Sequence, residues 1–439
     1  MRKTPRIQDV MINAIKRNDL TILLTLYFFL LPIGKTLWYP LFVMAMIGGA
    51  LFWNEFRSAE KLSYGTKWML ALGSCVYIPA VLSLTHTVDF ERSMVFVGTY
   101  PLFFLAGYFL YRRISSGYNF NKPFWMITSI VIIWGALAIW QYLDPNNPFG
   151  PGVTHYQGIH TRDNQLVDGN LMLGVILGSL FIFITLYIWT LGKPVTAVLV
   201  GLFIFCLVLI SGTRSAWVSV LFSMICLPIM LWLRGWRPTR FQTTGLVSVV
   251  VILGLGLNQA AKLPGISAKV DQTLSVLTNP TREGLDQALS LRLGIWEDAV
   301  AVGASSPVIG TGVNNFRFAQ PLLPNPSMVW SNSTNPEKHA LQGPSHTHQI
   351  FLEAWSGAGA AGVMGLIILF SAVTVTSLKS FKAGNLAAIA ALLAFWAGFL
   401  PLNTHNNFYG GWLTAWFWIW IGLSAGFVYR NGLPDETRS

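Results

Sequence analysis

The stretch FQTTGLVSVVVILGLGLN (residues 241–258) decides the architecture of this chain, because it ends where a long polar segment begins. The polar segment runs from Gln259 to Ser345, and a new apolar stretch follows His346-Thr-His348. A helix needs roughly 20 apolar residues to cross the hydrocarbon core of a bilayer, and residues 241–258 approach that length. The pattern predicts a membrane-embedded chain with one large water-facing insert.

Composition places the whole chain in the membrane class. Hydrophobic residues make up 53% of the 439 residues and charged residues only 11%, far below the roughly 25% typical of soluble domains. About twelve segments are apolar enough to span a bilayer. They cover residues 20–37, 38–54, 67–85, 93–111, 124–143, 170–191, 194–212, 215–233, 241–258, 347–378, 385–402 and 408–429. We therefore expect an all-α polytopic membrane protein with an N-terminal transmembrane region (1–258), the insert (259–345) and a C-terminal transmembrane region (346–439).

The positions of Lys and Arg predict the orientation of the spans. Short loops rich in these residues stay in the cytoplasm, and most of the chain's 29 basic residues fall on one side if the N-terminus is cytoplasmic. This places both termini inside and the insert outside. The net charge of +11 is then mainly a topology signal, and its scattered patches do not favour a nucleic-acid partner.

All seven histidines fall on the predicted outer side. They are His86, His155, His160, His339, His346, His348 and His405. Either they mark a site on that face, or they follow the greater length of the outer loops. The three cysteines lie within apolar segments, so neither a disulfide nor a zinc site is expected.

Arg214 lies in the short turn LISGTRSAW (residues 209–217) between two apolar segments. One interpretation is an arginine that snorkels from a helix end to the membrane surface. The other is an anion site, because a guanidinium binds phosphate oxygens through paired hydrogen bonds, and hydroxyls and helix N–H groups beside it add donors.

Arg292 lies in SLRLGIWEDAV (residues 290–300), where apolar residues recur at helical spacing. The spacing of Leu289, Leu293, Trp296 and Val300 predicts an amphipathic helix with Arg292 beside its apolar face. The alternative to a binding role is a salt bridge to Glu297 or Asp298.

His348 opens the apolar stretch HQIFLEAWSGAG (residues 348–359). Its imidazole has the unperturbed pKa best suited to accept a proton near neutral pH, which fits a general base. The alternative is an interfacial histidine bonded to the backbone. His346, two residues away, is expected on a different helical face, so that only one of the two would share a site. The tryptophans of the last span, with Trp416, Trp418 and Trp420, are expected to face lipid.

These motifs, in this order and spacing, resemble the O-antigen ligase family of bacterial envelopes. The resemblance rests on Gly212-Thr-Arg214-Ser-Ala-Trp, on Arg292 with Trp296 and Pro307-Val-Ile-Gly-Thr-Gly312, and on His348-Gln-Ile-Phe-Leu-Glu with Gly357 and Gly359. The family usually shows His-Asn where this chain has His348-Gln349. The resemblance implies a fold like that of the glycosyltransferase-C class.

It also implies an activity. The family transfers a polysaccharide from undecaprenyl pyrophosphate to a sugar of the lipid A-core, on the periplasmic side of the bacterial inner membrane. By that resemblance Arg214 and Arg292 would bind the pyrophosphate and His348 would be the general base of an inverting displacement. Metal-independent catalysis is expected, since the sequence holds no Asp-x-Asp motif and no outer carboxylate cluster. Secondary candidates for substrate binding are Arg92, Arg162, His346 and His405.

Other functions remain open at this stage. An O-antigen polymerase or a protein O-oligosaccharyltransferase would use the same donor and differ in acceptor. A twelve-span transporter or flippase is disfavoured, because such folds divide into two halves with charged or broken helices near the midplane. A membrane scaffold would explain neither the two arginines nor the histidine.

Overall fold

The computed structural model describes most of the chain. The described residues are 7–31, 34–58, 61–144, 173–211, 213–235, 280–331, 341–401 and 407–430, with residue 237 and single positions between 254 and 277. The expected span 241–258 therefore lies outside the described residues.

Long helices form wherever the described residues include an expected span. Before residue 240 these are α1 (Ile7–Leu30), α2 (Trp38–Ser58), α3 (Tyr64–Leu82), α4 (Phe90–Ser115), α5 (Asn121–Leu143), α6 (Leu173–Thr190), α7 (Pro194–Ile210) and α8 (Arg214–Leu233). After residue 280 the insert contains α9 (Arg282–Ala288), α10 (Leu293–Ser305) and α11 (Phe316–Ala319). The expected spans that follow form α12 (Ile350–Lys382), α13 (Leu386–Phe399) and α14 (Gly411–Tyr429). Short 3-10 turns cover Gly34–Leu37, Ser83–His86 and Gln320–Leu322.

Several of these helices have the length and composition of membrane spans. Among the described residues six qualify: Tyr64–His86, Phe90–Ser115, Asn121–Trp140, Arg214–Leu233, Ile350–Lys382 and Gly411–Tyr429. Shorter apolar helices lie at Asn18–Leu30, Gly174–Thr190, Pro194–Leu209 and Leu386–Phe399. The all-α polytopic class is confirmed, and the number of about twelve spans stays a prediction.

Helix α14 forms the centre of the bundle. Its side chains are buried from Leu413 to Val428, and Trp416, Trp418 and Trp420 are each 0% exposed. The expectation that these tryptophans face lipid was wrong. Aromatic composition alone does not say which side of a helix meets lipid, and here the indoles form edge-to-face pairs with rings such as Phe104.

Glycines bring α4 and α14 into close contact. A Cβ on Gly107 would lie 2.6 Å from the carbonyl oxygen of Trp418, and one on Gly422 would lie 2.3 Å from the carbonyl oxygen of Gly107. Small residues at a helix crossing allow backbones to approach in this way. The crossing holds α4 against α14. Both helices begin on the side of the insert.

The insert contains its own small apolar cluster. Ile295, Ala299 and Val302 of α10 pack with Phe316 and Ala319 of α11. A two-residue antiparallel ladder, β1 (Trp330–Ser331) with β2 (Leu341–Gln342), follows.

The amphipathic helix expected in the insert exists, but its start and its buried face differ from the prediction. It begins at Leu293 and not at Leu289, because Ser290 and Leu291 have φ of 60° and 59° and break the helical path. Val300, expected on the apolar face, is 52% exposed.

Helix α12 is broken at Gly359, where the insert joins it. Gly359 has φ 63° and ψ −156°, a conformation that favours glycine. On one side of the break the Ser356 and Gly357 carbonyls accept hydrogen bonds from the N–H groups of Thr311 (2.9 Å) and Gly312 (3.0 Å). On the other side, the N–H groups of residues 360 and 361 donate to the carbonyls of residues 307 and 308, at 2.8 and 3.1 Å. The backbone groups freed by the break are thus satisfied by the insert, as an apolar environment requires.

The insert is also anchored to the start of α4. The Asn315 amide donates to the Asp89 carbonyl and to the Ser93 hydroxyl, each at 2.9 Å, and the Ser93 hydroxyl donates to the Val313 carbonyl at 2.9 Å. We call this face of the bundle, where α4, α8, α12 and α14 begin, the insert face.

Candidate active site

Arg214 is the first residue of α8, and its guanidinium reaches into the insert. It donates to the Ala288 carbonyl at 2.6 Å and to the Thr273 hydroxyl at 3.1 Å, and it also contacts the Ser290 hydroxyl. A snorkelling arginine would point its charge toward bulk water. Arg214 is instead held by the segment that leads to Arg292.

Arg292 stands directly before α10. The side chain of Asp286 accepts a hydrogen bond from the Leu293 N–H at 2.8 Å, which fixes where α10 begins. Two consecutive residues with positive φ, Ser290 and Leu291, turn the chain just before it. Such rare backbone conformations persist only where the surroundings hold them, and they cluster at functional sites.

The salt bridge considered for Arg292 is not formed. Glu297 pairs with Arg282, and the Asp298 carboxylate accepts hydrogen bonds from Gln320 (2.7 Å) and from the Ser327 N–H (2.9 Å). Within the described residues, the Arg292 guanidinium has neither an acidic partner nor a hydrogen bond. A half-buried cation in this state suggests a site for an anion.

The contacts of Arg214 with Ala288 and Ser290 bring its charge near Arg292. Burial, together with the positive charge of Arg214, lowers the pKa of Arg292 to about 10. Both groups remain charged at neutral pH. The fold therefore holds two like charges together, at a cost that a bound anion would offset.

His346 and His348 lie together in the turn before α12. Their ring centroids are 4.0 Å apart, and His348 has φ 59°. The expectation that they lie on different helical faces was wrong, because α12 begins only at Ile350 and neither histidine is in it. The Nδ1 atom of His346 lies 2.6 Å from the Ser345 hydroxyl.

Thr347, between the two histidines, is held from two helices. Its N–H and hydroxyl donate to the Glu353 carboxylate of α12, at 2.9 and 3.1 Å, and its carbonyl accepts a hydrogen bond from the Trp296 indole of α10 at 3.1 Å. The geometry of the histidine pair is therefore set jointly by the membrane helix and by the insert.

The charge state of His346 is fixed by its surroundings. Burial, together with the nearby charges of Arg292 and Arg317, lowers its pKa to about 4. His346 is therefore neutral at pH 7. A neutral neighbour does not oppose the uptake of a proton by His348, whereas a charged one would.

The structure adds Arg317, which was not a sequence candidate. It lies in α11, a four-residue helix between buried aromatic residues, and it contributes to the electrostatic environment of His346. Sequence periodicity could not single it out, because so short a helix shows no repeating pattern.

Of the remaining sequence candidates, Arg92 lies among the described residues. The Arg92 Nε donates to the Asn314 carbonyl at 2.9 Å, and its guanidinium lies 5.5 Å from the centre of the Phe318 ring. Arg162 and His405 lie outside the described residues. Of the sequence candidates, the structure brings together Arg214, Arg292, His346 and His348. In the part of the chain that the structure describes, no three His, Cys, Asp or Glu side chains form a group that could hold a metal ion.

Comparison with known families bears on this same region. A family model described as O-antigen ligase matches residues 198–370. The match contains α8, α10, α11 and the first half of α12, and with them every arginine and histidine of the cluster except Arg92. No curated protein matches the chain significantly.

Proposed function

Because residues 198–370 carry an O-antigen ligase domain, whose family implies ligase or polymerase activity, we propose that this protein is an inverting, lipid-linked glycan transferase. It moves a polysaccharide from undecaprenyl pyrophosphate to a sugar of the lipid A-core. Arg214 and Arg292 bind the pyrophosphate, and His348 is the general base.

One observation carries the proposal. Two guanidiniums, one of them without any acidic partner among the described residues, lie beside a pair of histidines whose rings are 4.0 Å apart. A pyrophosphate supplies the negative charge that the arginines lack, and guanidiniums bind phosphate oxygens in a bidentate manner.

The reaction that fits this arrangement is a single displacement. The acceptor hydroxyl oxygen attacks the anomeric carbon of the donor sugar, and its proton passes to His348. The new C–O bond forms as the bond from the anomeric carbon to the phosphate oxygen breaks, and the electron pair leaves with undecaprenyl pyrophosphate. Attack from the face opposite the leaving group inverts the anomeric configuration.

Charge stabilisation of the leaving group comes from the arginines. Pyrophosphate is already a good leaving group, and preorganised cations stabilise the charge that develops on it in the transition state. We therefore propose that the reaction needs neither a divalent metal ion nor a separate general acid.

We further propose that the site faces the periplasm, in the bacterial inner membrane with both termini in the cytoplasm. Helices α4, α8, α12 and α14 begin on the insert face, so their C-terminal ends lie on the other side. There the Arg234 guanidinium lies 4.9 Å from the centre of the Phe381 ring, and Arg112 lies 3.3 Å from Glu55. This placement of basic residues agrees with the positive-inside rule.

The test is a transfer assay with purified protein treated with EDTA. The substrates are undecaprenyl-pyrophosphate-linked glycan and rough lipopolysaccharide. Wild type should produce capped lipopolysaccharide, and His348→Ala should lose transfer by about 10²-fold or more, the usual contribution of a general base, while still binding the donor. Arg292→Gln should lose donor binding as well. His86→Ala, an exposed histidine on the same face, is the control and should remain active.

The products separate the alternatives. Glycan that lengthens on the lipid carrier would identify a polymerase, and glycan attached to protein would identify a protein O-oligosaccharyltransferase. Absence of transfer to any acceptor would exclude the proposed activity, and full activity of His348→Ala would move the base to another group.

A further inference from the structure

Arg317 is an arginine without a partner inside the candidate site. Its Nε atom is buried and forms no hydrogen bond, and within the described residues its guanidinium forms no ion pair. Its backbone is fixed, because the Arg317 carbonyl accepts a hydrogen bond from the Gly343 N–H at 2.8 Å and the flanking Phe316 and Phe318 are buried. A buried donor without a partner is costly, which suggests that a ligand completes the site.

Arg317 is associated with Arg92 and not with Arg214. The Arg92 guanidinium lies over the ring of Phe318, the next residue in the chain, and the charges of Arg92 and Arg317 interact. Two carboxylates, of Asp89 and Glu353, partly compensate Arg92. Among the described residues, no ion pair joins Arg317 to an acidic group.

The turn that carries the histidines is connected to both arginine regions. The Thr347 carbonyl accepts a hydrogen bond from Trp296 of α10, which begins directly after Arg292, and the Gly343 N–H donates to the Arg317 carbonyl. Burial and the charges of Arg292 and Arg317 lower the pKa of His346. Burial and the charge of Arg214 lower the pKa of Arg292, and the charges of Arg317 and Arg92 repel each other. We call Arg214 with Arg292 the donor-side pair and Arg317 with Arg92 the opposite pair.

We propose that the opposite pair binds an anionic group, a carboxylate or a phosphate, of the sugar acceptor, with Arg317 making the direct contact and Arg92 supporting it. The inference rests on the proposed function. In an inverting displacement the base contacts the acceptor hydroxyl, and the anomeric carbon separates that hydroxyl from the leaving group. A cationic site beside the histidines that is not part of the donor-side pair therefore faces the acceptor.

The chemistry of Arg317 fits such a ligand. A guanidinium presents a planar fork of N–H donors that matches a carboxylate or a phosphate, and charge-assisted hydrogen bonds of this kind are the strong ones.

The experiment measures the activity of each enzyme variant on each of several modified acceptors. Arg317→Gln and Arg317→Lys are compared with wild type on three acceptors: intact, enzymatically dephosphorylated, and with carboxyl groups reduced to alcohols. We expect Arg317→Gln to raise the KM for intact acceptor about tenfold or more, which is the scale of one lost charged hydrogen bond, and to leave the KM for donor unchanged. Arg317→Lys, which keeps the charge, should show a smaller increase.

The acceptor series identifies the group. One of the two modified acceptors, dephosphorylated or carboxyl-reduced, should lack the group that Arg317 binds. Wild type should bind that modified acceptor as weakly as Arg317→Gln binds the intact acceptor. Arg317→Gln itself should bind the modified and the intact acceptor equally. Arg282→Gln, which removes an exposed arginine of the same insert, is the matched control and should behave as wild type. A thermal melt of each variant shows that it is folded.

The outcomes separate this proposal from the proposed function. Transfer by wild type together with an unchanged acceptor KM in Arg317→Gln would overturn the acceptor site alone. A raised donor KM would do the same and would make Arg317 a third ligand of the pyrophosphate. Absence of transfer by wild type would overturn both.

Discussion

Replacing Arg292 by glutamine should make the protein more stable and at the same time abolish donor binding. The guanidinium is half-buried beside Arg214 without an acidic partner among the described residues, and burial lowers its pKa to about 10, well below the usual value for arginine. A difference of one in pKa corresponds to about 1.4 kcal/mol, so the folded state carries a cost of roughly 3 kcal/mol for this charge before solvent screening. Screening at a partly exposed site reduces it to about 1–2 kcal/mol.

The lowered pKa of Arg292 decides whether its charge stabilises or destabilises the folded protein at neutral pH. A basic group whose pKa is lower in the folded state destabilises that state wherever the group is charged, and at pH 7 it is charged in both states. The destabilisation disappears only as the pH rises above about 10, toward the higher pKa that arginine has in the unfolded chain. Arg292→Gln should therefore raise the melting temperature in detergent at pH 7 by roughly 2 °C, given the size dependence of this conversion.

Ligand binding supplies the second measurement. Inorganic pyrophosphate should stabilise wild type by about 2.7 kcal/mol at one hundred times its Kd, and it should leave Arg292→Gln unchanged. The control is Arg282→Gln, which breaks an exposed ion pair worth about 0–1 kcal/mol and should respond to pyrophosphate as wild type does. A lower melting temperature for Arg292→Gln, with pyrophosphate stabilisation intact, would show that Arg292 is a structural arginine and would refute the reasoning.

Three further predictions follow from the geometry. Gly359→Ala should destabilise the protein by roughly 2–5 kcal/mol, because its Cβ would lie 2.5 Å from the Val308 carbonyl carbon in a conformation that L residues avoid. The control in parallel melts is Gly98→Ala, whose Cβ meets nothing within 4 Å. Trp296→Phe removes the indole donor that holds the turn of the two histidines, and should lower kcat about tenfold, a loss near that of one hydrogen bond, with donor affinity unchanged; an unaltered kcat would contradict this role. Because the pKa of His346 falls to about 4 in the folded protein, the unfolded chain binds the additional proton between about pH 6.5 and 4, so stability should fall as the pH is lowered through that range, and His346→Gln should show a smaller fall in melts at pH 7 and pH 5.

The sequence predicted the positions of most helices because composition and length are sufficient for that purpose. The expected segment 215–233 differs by one residue from the helix Arg214–Leu233, and the resemblance to the O-antigen ligase family is confirmed over residues 198–370. Arg214 was identified as a candidate because a charge at a membrane boundary is rare enough to need a reason. Arg292 was identified because helical spacing places it beside the apolar face of a helix in the insert.

The sequence did not predict the features of the site that depend on tertiary packing or on single backbone angles. Periodicity treated His346 and His348 as parts of one helix, and it could not detect the positive φ at His348 that brings the two rings together. Helical spacing also placed Val300 on a buried face, although Ile295, Ala299 and Val302 occupy it. In each case the helix starts three or four residues later than expected, and this difference decides which side chains meet.

The break in α12 at Gly359 has a consequence for protein engineering and for biosynthesis. Residues 307–312 are made before the helix they join, so the partners of its free backbone groups already exist when Gly359 leaves the ribosome. A chimera that exchanged only the insert between two related enzymes would separate these partners. Exchange of residues as far as Ala361 would carry the complete junction together with the first turns of α12, and it would leave the rest of the membrane bundle unchanged.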